Sequence, residues 1–180
     1  MRIIAGAHRS RVLKTLEGKN TRPMTDRMKE SVFNTIGPYF DGEIVLDLFG
    51  GSGALSLEAI SRGASHAYIS EIARDAFKVI SDNITSLKEN DNVTALNCDY
   101  KVAIKRLSNM KFDIVFLDPP YRLNIVSEII DELLKNDMLN KDAIIVCHYV
   151  KGNQEIVKSL KLKKNYAYGS SEVAIYINSK

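Results

Sequence analysis

The stretch FLDPPYR at residues 116–122 places an acid, two prolines and a tyrosine directly after an apolar run. Proline fixes its own φ and has no N–H group, so Pro119 and Pro120 hold the backbone rigid and stop both helix and sheet. The carboxylate of Asp118 and the backbone carbonyl of Pro119 are then two fixed acceptors for the N–H groups of a planar exocyclic amine. Tyr121 can stack on the ring that carries this amine. We therefore predict that these four residues form a catalytic site for a flat, amino-bearing nucleobase.

A second group of candidate residues lies in DLFGGSGA, residues 47–54, at a predicted strand-to-helix turn. Glycines at such a turn let backbone N–H groups approach a ligand closely. The spacing differs from the dinucleotide pattern G-x-G-x-x-G, because Ser56 stands where the last glycine is needed. No Gly-Lys-Ser/Thr follows for a Walker loop, and Ala54 stands where a G-x-S-x-G elbow needs glycine. The residues of this segment predicted to bind a cofactor are Asp47, Phe49, Gly50, Gly51 and Gly53.

Two more acids stand at the ends of predicted strands. Glu71 can accept hydrogen bonds from the ribose hydroxyls of an adenosine ligand, and Asp99 can accept one from an adenine amino group. Since the carboxyl ends of parallel strands meet at one edge of a sheet, we expect both acids beside the glycine loop. S-adenosylmethionine fits this set, because it contains adenosine but has no phosphate that needs a lysine. We therefore predict S-adenosylmethionine as the cofactor.

The elements that position these residues follow from hydrophobic periodicity. From residue 43 onward, short runs rich in Val, Ile and Leu alternate with amphipathic stretches, which is typical of a parallel sheet with helices on both faces. The predicted strands are 43–49, 66–71, 92–98, 112–118 and 142–149. Residues 160–178 predict two further strands joined by a turn at 169–171, hence an antiparallel hairpin with no helix inside it. The expected fold is a doubly wound α/β domain.

The first 40 residues differ from the rest of the chain in charge. They contain eight Lys and Arg against three Asp and Glu, whereas the net charge of the whole chain is only +3. Within them, RIIAG and RVLKTL predict a small hairpin, and TRPMTDRMKESVFNTIG predicts a helix capped at Thr25 or Asp26 and ended by Gly37. We accordingly expect a basic N-terminal extension over 1–40 and a second domain over 41–180.

A basic extension suits a polyanionic partner such as RNA, because contacts to phosphates release counterions. The alternative interpretation is a solvated basic surface with no partner. The arginines predicted to contact RNA are Arg9, Arg11, Arg22 and Arg27.

The composition is that of an ordinary globular protein, with 45% hydrophobic and 26% charged residues. No apolar stretch approaches the roughly 18 residues of a membrane span, so we expect no membrane association. Cys98 and Cys147 stand in apolar, strand-like contexts, which indicates reduced thiols in a cytoplasmic protein. The three histidines are scattered without a cluster at metal spacing, which predicts no metal site, and the sequence assigns no role to His148.

Three segments together resemble one known family: MRIIAG…TRPMTDRMKESVFN, DLFGGSGALSLEAISRGA and DPPY. They are similar to the RsmD family of bacterial 16S ribosomal RNA guanine-N2 methyltransferases over essentially the whole chain. The resemblance implies a class I S-adenosylmethionine-dependent methyltransferase fold with a seven-stranded, mostly parallel sheet. It also implies a monomer that methylates one guanine of 16S rRNA in the assembling or assembled small ribosomal subunit.

Other functions stay open at this point. DPPY is shared with methyltransferases that act on adenine N6 of DNA or RNA, so this reaction is the main alternative. A non-catalytic rRNA-binding assembly factor could use the same fold only as a scaffold, although the intact DPPY argues against it. An NAD-dependent oxidoreductase is disfavoured by the glycine spacing.

Overall fold

A computed structural model describes residues 1–18 and 24–180. Its strands are β1 (Ile44–Asp47), β2 (His66–Ser70), β3 (Val93–Leu96), β4 (Phe112–Leu117), β5 (Leu139–Val150), β6 (Lys161–Tyr168) and β7 (Ser171–Ile177). Its helices are α1 (Asp26–Ile36), α2 (Ala54–Ser61), α3 (Arg74–Leu87), α4 (Tyr100–Arg106) and α5 (Val126–Lys135). Among the described residues the strands form one seven-stranded sheet in the order β3-β2-β1-β4-β5-β7-β6.

The sheet is parallel from β3 to β5, and β7 is antiparallel to both of its neighbours, β5 and β6. Alternate side chains of a strand enter opposite faces of the sheet, as Val45 and Leu46 of β1 do. The face of Val45 packs against α1, α2 and α3, and the face of Leu46 packs against α4 and α5. The predicted doubly wound α/β fold with a C-terminal antiparallel hairpin is confirmed.

Strands β1 and β4 are adjacent, but the helices that follow them cover opposite faces of the sheet. This is the point at which the winding of an open α/β sheet reverses, and ligands bind in the crevice that forms there. The register pairs Asp47 with Phe116, so Asp118 lies two residues beyond that pair at the same edge. The topology thus brings the glycine loop and DPPY together.

The N-terminal segment is partly as predicted. Helix α1 has Thr25 as its N-cap, with the side-chain oxygen accepting a hydrogen bond from the Met28 N–H at 3.2 Å, and it ends at Gly37. The predicted hairpin is present as a single antiparallel bridge between Arg2 and Val12. It does not extend further because the N–H groups after residue 3 bind a carboxylate of α2 instead of a second strand.

That carboxylate, Glu58, is the centre of a buried charge network. It lies 3.1 Å from the Lys29 ammonium and 2.7 Å from Nε of Arg62, and it accepts the N–H of Ile4 at 2.9 Å. Glu58 and Lys29 are both fully buried. Because a buried charge is tolerated only when it is paired and hydrogen-bonded, this network holds the N-terminal segment on α2. The division of the chain at residue 40 stays a prediction.

No described helix is long and apolar enough to cross a membrane.

Candidate active site

The glycine loop connects β1 to α2 and has the geometry of a ligand cradle. A Cβ at Gly50 would lie 2.4 Å from Cγ2 of Ile69, so only glycine fits that close approach. Gly53 has φ 80°, a left-handed conformation that favours glycine, and it is the N-cap of α2. Gly53 has no side chain that could cap this helix, so the N–H groups of its first turn are available to a ligand at this edge of the sheet.

Asp47 ends β1 beneath this loop and is buried, with 2% of its surface exposed. Its carboxylate accepts hydrogen bonds from the Ser56 hydroxyl at 3.1 Å and from the Phe49 N–H at 3.3 Å. Burial raises the pKa of Asp47 from its ordinary 3.8 to about 7, with a smaller contribution from the charges of Asp118 and Glu71. These two hydrogen bonds lower the pKa but only partly offset the burial.

Glu71 follows β2 and faces the glycine loop. One carboxylate oxygen accepts the N–H of Gly51 and the other accepts the N–H of Ala73, both at 2.9 Å. Each oxygen has a second lone pair, so both remain able to accept from a ligand. Asp99 is the N-cap of α4, where one oxygen accepts the N–H of Lys101 at 2.8 Å. Both acids therefore lie at the carboxyl edge of the sheet, as predicted.

Apolar side chains complete this end of the crevice. The rings of Phe49 and Tyr100 are 5.4 Å apart, and Ile72 is 67% exposed directly after Glu71. An exposed isoleucine and two aromatic rings beside an acid form a surface that suits a flat ring such as adenine. Phe49 was predicted from the sequence, whereas Tyr100 and Ile72 were not. The signal that could have revealed them is an apolar residue directly after a strand-end acid, Asp99 or Glu71.

Asp118 begins the DPPY segment at the end of β4 and is paired with a residue from β5. Its Oδ1 lies 2.9 Å from Nδ1 of His148. Tyr121 is 49% exposed, and the Arg122 guanidinium lies 5.7 Å from the centre of its ring. The Tyr121 ring is therefore available for stacking rather than part of the core. His148 was not predicted as a site residue, because a contact between neighbouring strands cannot be read from its flanking residues.

An open pocket of about 650 Å³ adjoins the DPPY segment. It is polar, and its lining residues are Tyr121, Arg122, Asn124, Gly152, Asn153, Gln154 and Glu155. Several amide side chains and one guanidinium thus lie next to the stacking ring. A pocket of this volume and polarity can admit a nucleotide.

A buried asparagine connects the glycine loop to the N-terminal segment. Asn83 of α3 donates from Nδ2 to the carbonyl of Ser52 at 2.9 Å and to that of Lys14 at 3.0 Å. Its Oδ1 accepts the Lys14 N–H at 2.8 Å. The N-terminal segment therefore supports the loop from behind as well as packing on α2.

Two of the predicted RNA-contacting arginines, Arg9 and Arg11, lie apart from Asp118. Arg9 is exposed in a turn that binds the C-terminal end of α2, and the Arg11 guanidinium donates to the carbonyl of Ser86 near the end of α3 at 2.8 Å. Both helices end near the amino edge of the sheet, opposite the crevice. Arg27 is exposed in the first turn of α1, and Arg22 lies outside the described residues. The RNA-binding role of these arginines stays a prediction.

The structure thus collects the acids and glycines of β1, β2 and β3 with DPPY in one crevice. No group of three or more His, Cys, Asp or Glu side chains that could hold a metal occurs in residues 1–18 and 24–180. The crevice offers carboxylates, backbone N–H groups, aromatic rings and rigid carbonyls. These groups can bind a nucleoside ligand and orient a planar amine.

Comparison with known proteins gives a consistent result. The family model described as conserved hypothetical protein 95 matches residues 1–177. The chain is 36% identical over 180 residues to the "Putative rRNA methyltransferase YlbH" of Bacillus subtilis, covering 98% of each chain. It is 36% identical over 147 residues to the ribosomal RNA small subunit methyltransferase D of Haemophilus influenzae, covering 81% of this chain and 76% of that one.

A solved structure extends the similarity to the whole fold. It is described as "Putative methyltransferase yhhF from Escherichia coli" and superimposes with a TM-score of 0.86 at 31% identity. The superposition covers 99% of this chain and 97% of that chain. The similarity therefore includes the N-terminal segment and the C-terminal hairpin as well as the parallel sheet.

Proposed function

We propose that this chain, which belongs to the family of ribosomal RNA small subunit methyltransferase D, methylates the exocyclic N2 amine of a specific guanine in 16S rRNA. The methyl donor is S-adenosylmethionine. The observation that carries this proposal is the position of Asp118 and Pro119 at the switch point, next to the glycine cradle. The names of the relatives support rRNA as the substrate class.

The residues of the crevice fit the cofactor. The uncapped N–H groups of α2 and the close approach at Gly50 suit the amino-acid end of a ligand, and Glu71 suits a ribose diol. The glycine spacing of this loop differs from that of dinucleotide-binding loops, because Ser56 stands where the last glycine is needed, and this disfavours NAD. The carboxylates of Glu71 and Asp118 favour a cation, and Asp47 adds to this once it has lost its proton, because its pKa is raised to about 7.

S-adenosylmethionine supplies an electrophilic methyl group on a sulfonium centre when it is bound. Asp47 and Glu71 would orient it from the ends of β1 and β2, and Asp99 would accept from the adenine amino group. Phe49 and the exposed Ile72 would cover the two sides of the adenine ring. The crevice would thereby exclude water from the reacting groups.

The target amine is activated by hydrogen bonds that the chain itself provides. The free oxygen of Asp118 and the carbonyl of Pro119 would accept the two N–H groups, which favours a pyramidal nitrogen with an exposed lone pair. Tyr121 would stack on the guanine, and such stacking contributes roughly 1–3 kcal/mol per base. Asp118 would also accept the surplus proton that the methylated nitrogen must lose. Catalysis would come mainly from positioning and electrostatics.

A guanine inside a helix cannot reach this crevice, so the target must be unpaired or turned out of its stack. The polar pocket beside Tyr121 is large enough to receive it. We further propose that the exposed arginines of the N-terminal segment hold rRNA phosphates at a distance from the reacting base. The enzyme would act as a cytoplasmic monomer on the assembling or assembled small subunit.

The test is to incubate the protein with labelled S-adenosylmethionine and unmodified small subunits, then digest the RNA to nucleosides. We expect the label in N2-methylguanosine. Label in N6-methyladenosine would establish the alternative reaction, and absence of label would favour a non-catalytic assembly factor. The Asp118→Ala protein is the matched control, because it should keep the fold and the cofactor site but lose transfer.

A further inference from the structure

His148 is the one buried histidine of the described residues that contacts the reaction site. It stands near the end of β5, one residue after Cys147, which is paired in register with Leu117 of β4. His148 therefore lies beside Asp118 on the neighbouring strand. The His148 side chain is 7% exposed and that of Asp118 is 34% exposed, so the imidazole approaches the carboxylate from the protein interior.

The chemistry of the pair determines which nitrogen carries a proton. An ionised carboxylate can only accept hydrogen bonds, so Nδ1, at 2.9 Å from Oδ1 of Asp118, must be the donor. This holds for both the neutral imidazole and the imidazolium. Nε2 is buried and has no hydrogen-bond partner in the described part of the chain. Within the described residues, the His148 side chain thus has a single polar contact, which is Asp118.

The contact leaves the carboxylate with a defined orientation. Oδ1 is held by the ring, and because 34% of the Asp118 side chain is exposed, Oδ2 is available to accept from a ligand. Burial opposes the charged imidazole, but the hydrogen bond and the charge of Asp118 outweigh it and raise the pKa of His148 above its ordinary value. The imidazole therefore interacts with Asp118 strongly enough to change its own protonation.

We propose that His148 is a positioning residue for methyl transfer, whose Nδ1–H holds Asp118 so that Oδ2 accepts the N–H of the target amine. This inference rests on the proposed function, in which Asp118 grips that amine. It assigns to His148 no contact with substrate or cofactor. Without the His148 hydrogen bond, the Asp118 side chain could rotate toward solvent. The target amine would then lose one of the two acceptors that favour its pyramidal geometry.

The kinetic test compares two substitutions. His148→Leu removes the donor and keeps an apolar volume, whereas His148→Asn keeps an amide N–H where Nδ1 stands. We expect His148→Leu to lower kcat about 10- to 100-fold, the size of a lost hydrogen bond to a charged group, with KM for S-adenosylmethionine unchanged. His148→Asn should recover most of that loss. His66→Leu, which removes a histidine bonded to Thr94 at 2.8 Å on β2, is the control and should leave kcat unchanged.

A wild-type kcat in folded His148→Leu, or equal losses in the Leu and Asn proteins, would overturn the positioning role. A purely structural role predicts parallel losses in melting temperature and activity and no recovery by asparagine.

Nitrogen NMR of the imidazole gives a readout that does not depend on activity. We expect Nδ1 of His148 to carry a proton in the wild-type protein, with the resonance assigned by its absence in His148→Asn. In the Asp118→Ala protein the pKa of His148 should be lower, because the carboxylate that accepts its Nδ1–H is absent. An unprotonated Nδ1, or a His148 pKa that is the same in the wild-type and Asp118→Ala proteins, would refute the contact. If the wild-type protein transfers no methyl group, the proposed function fails, and the NMR result still decides the His148–Asp118 contact.

Discussion

Asp47 provides a pH-dependent test of the site, because it is a buried acid whose pKa is raised to about 7. Between pH 4 and 7 the folded protein then holds a proton on Asp47 that the unfolded chain has released. Since stability falls with rising pH wherever the folded state binds more protons, Asp47 reduces the free energy of unfolding across this window. This is the reverse of the usual aspartate, whose pKa is lowered by a salt bridge.

The magnitude follows from the size of the pKa shift. A change from 3.8 to about 7 is roughly three pH units, and each unit corresponds to 1.36 kcal/mol, so the full effect is about 4 kcal/mol. Asp47→Asn removes the titration while its side-chain oxygen can still accept the Phe49 N–H. The Ser56 hydroxyl would then accept from the new amide instead of donating to a carboxylate.

Urea denaturation of both proteins at pH 4, 5, 6 and 7.5 measures this effect. The wild-type free energy of unfolding minus that of Asp47→Asn should fall by about 4 kcal/mol from the lowest pH to the highest. In this difference the contributions of the other titrating groups to the free energy of unfolding cancel, because the two proteins share those groups. A difference that does not change with pH would refute the burial of a protonated Asp47, and a difference that rises with pH would mean that the carboxylate is stabilised instead.

Three further predictions concern cofactor, base and RNA. Glu71→Ala should weaken S-adenosylmethionine binding in calorimetry by on the order of 1–3 kcal/mol, and an unchanged affinity would remove Glu71 from the site. Asp118→Ala should abolish most turnover and leave the Kd for the cofactor unchanged. Tyr121→Ala should lower turnover without lowering Tm, because the Tyr121 ring is half exposed. Wild-type rates in either protein would contradict the proposed site for the target base. Replacing Arg9 and Arg11 with glutamine should reduce the slope of log K against log salt by somewhat under one unit per lost contact, with cofactor affinity constant. An unchanged slope would assign both to the solvated surface.

The fold was predictable because its signals are local. The alternation of apolar runs and amphipathic stretches located the strands and helices, and the N-cap at Thr25 was visible from residue type and spacing. In a parallel sheet, ligands bind at the carboxyl ends of the strands. Glu71 and Asp99 could therefore be assigned to that edge of the sheet without any knowledge of distances. These inferences required only neighbouring residues and the rule that parallel strands share a direction.

The contacts that sequence reasoning missed are long-range. His148 meets Asp118 across 30 residues, and Arg11 meets Ser86 across 75 residues. The sequence shows Glu58 as an ordinary helical acid, whereas the structure buries it completely between two cations. Such pairings depend on which side chains two elements present to each other, and no local pattern encodes that choice.

The charge of the first 40 residues also has a structural explanation that the composition did not suggest. The Lys29 ammonium is fully buried against Glu58, and it donates to the carbonyl of Arg2 at 2.5 Å. This lysine stabilises the attachment of the segment and cannot contact RNA. The positive excess therefore overstates the charge that is available to a polyanion.

The identity of the methylated nucleoside tests the central claim most directly. Unmodified small subunits are treated with the protein and S-adenosylmethionine, and their 16S rRNA is cut into fragments for mass spectrometry. We predict one added methyl group per subunit, on N2 of a single guanine, and none with the Asp118→Ala protein. A methyl group on adenine, or methylation spread over many guanines, would contradict the account.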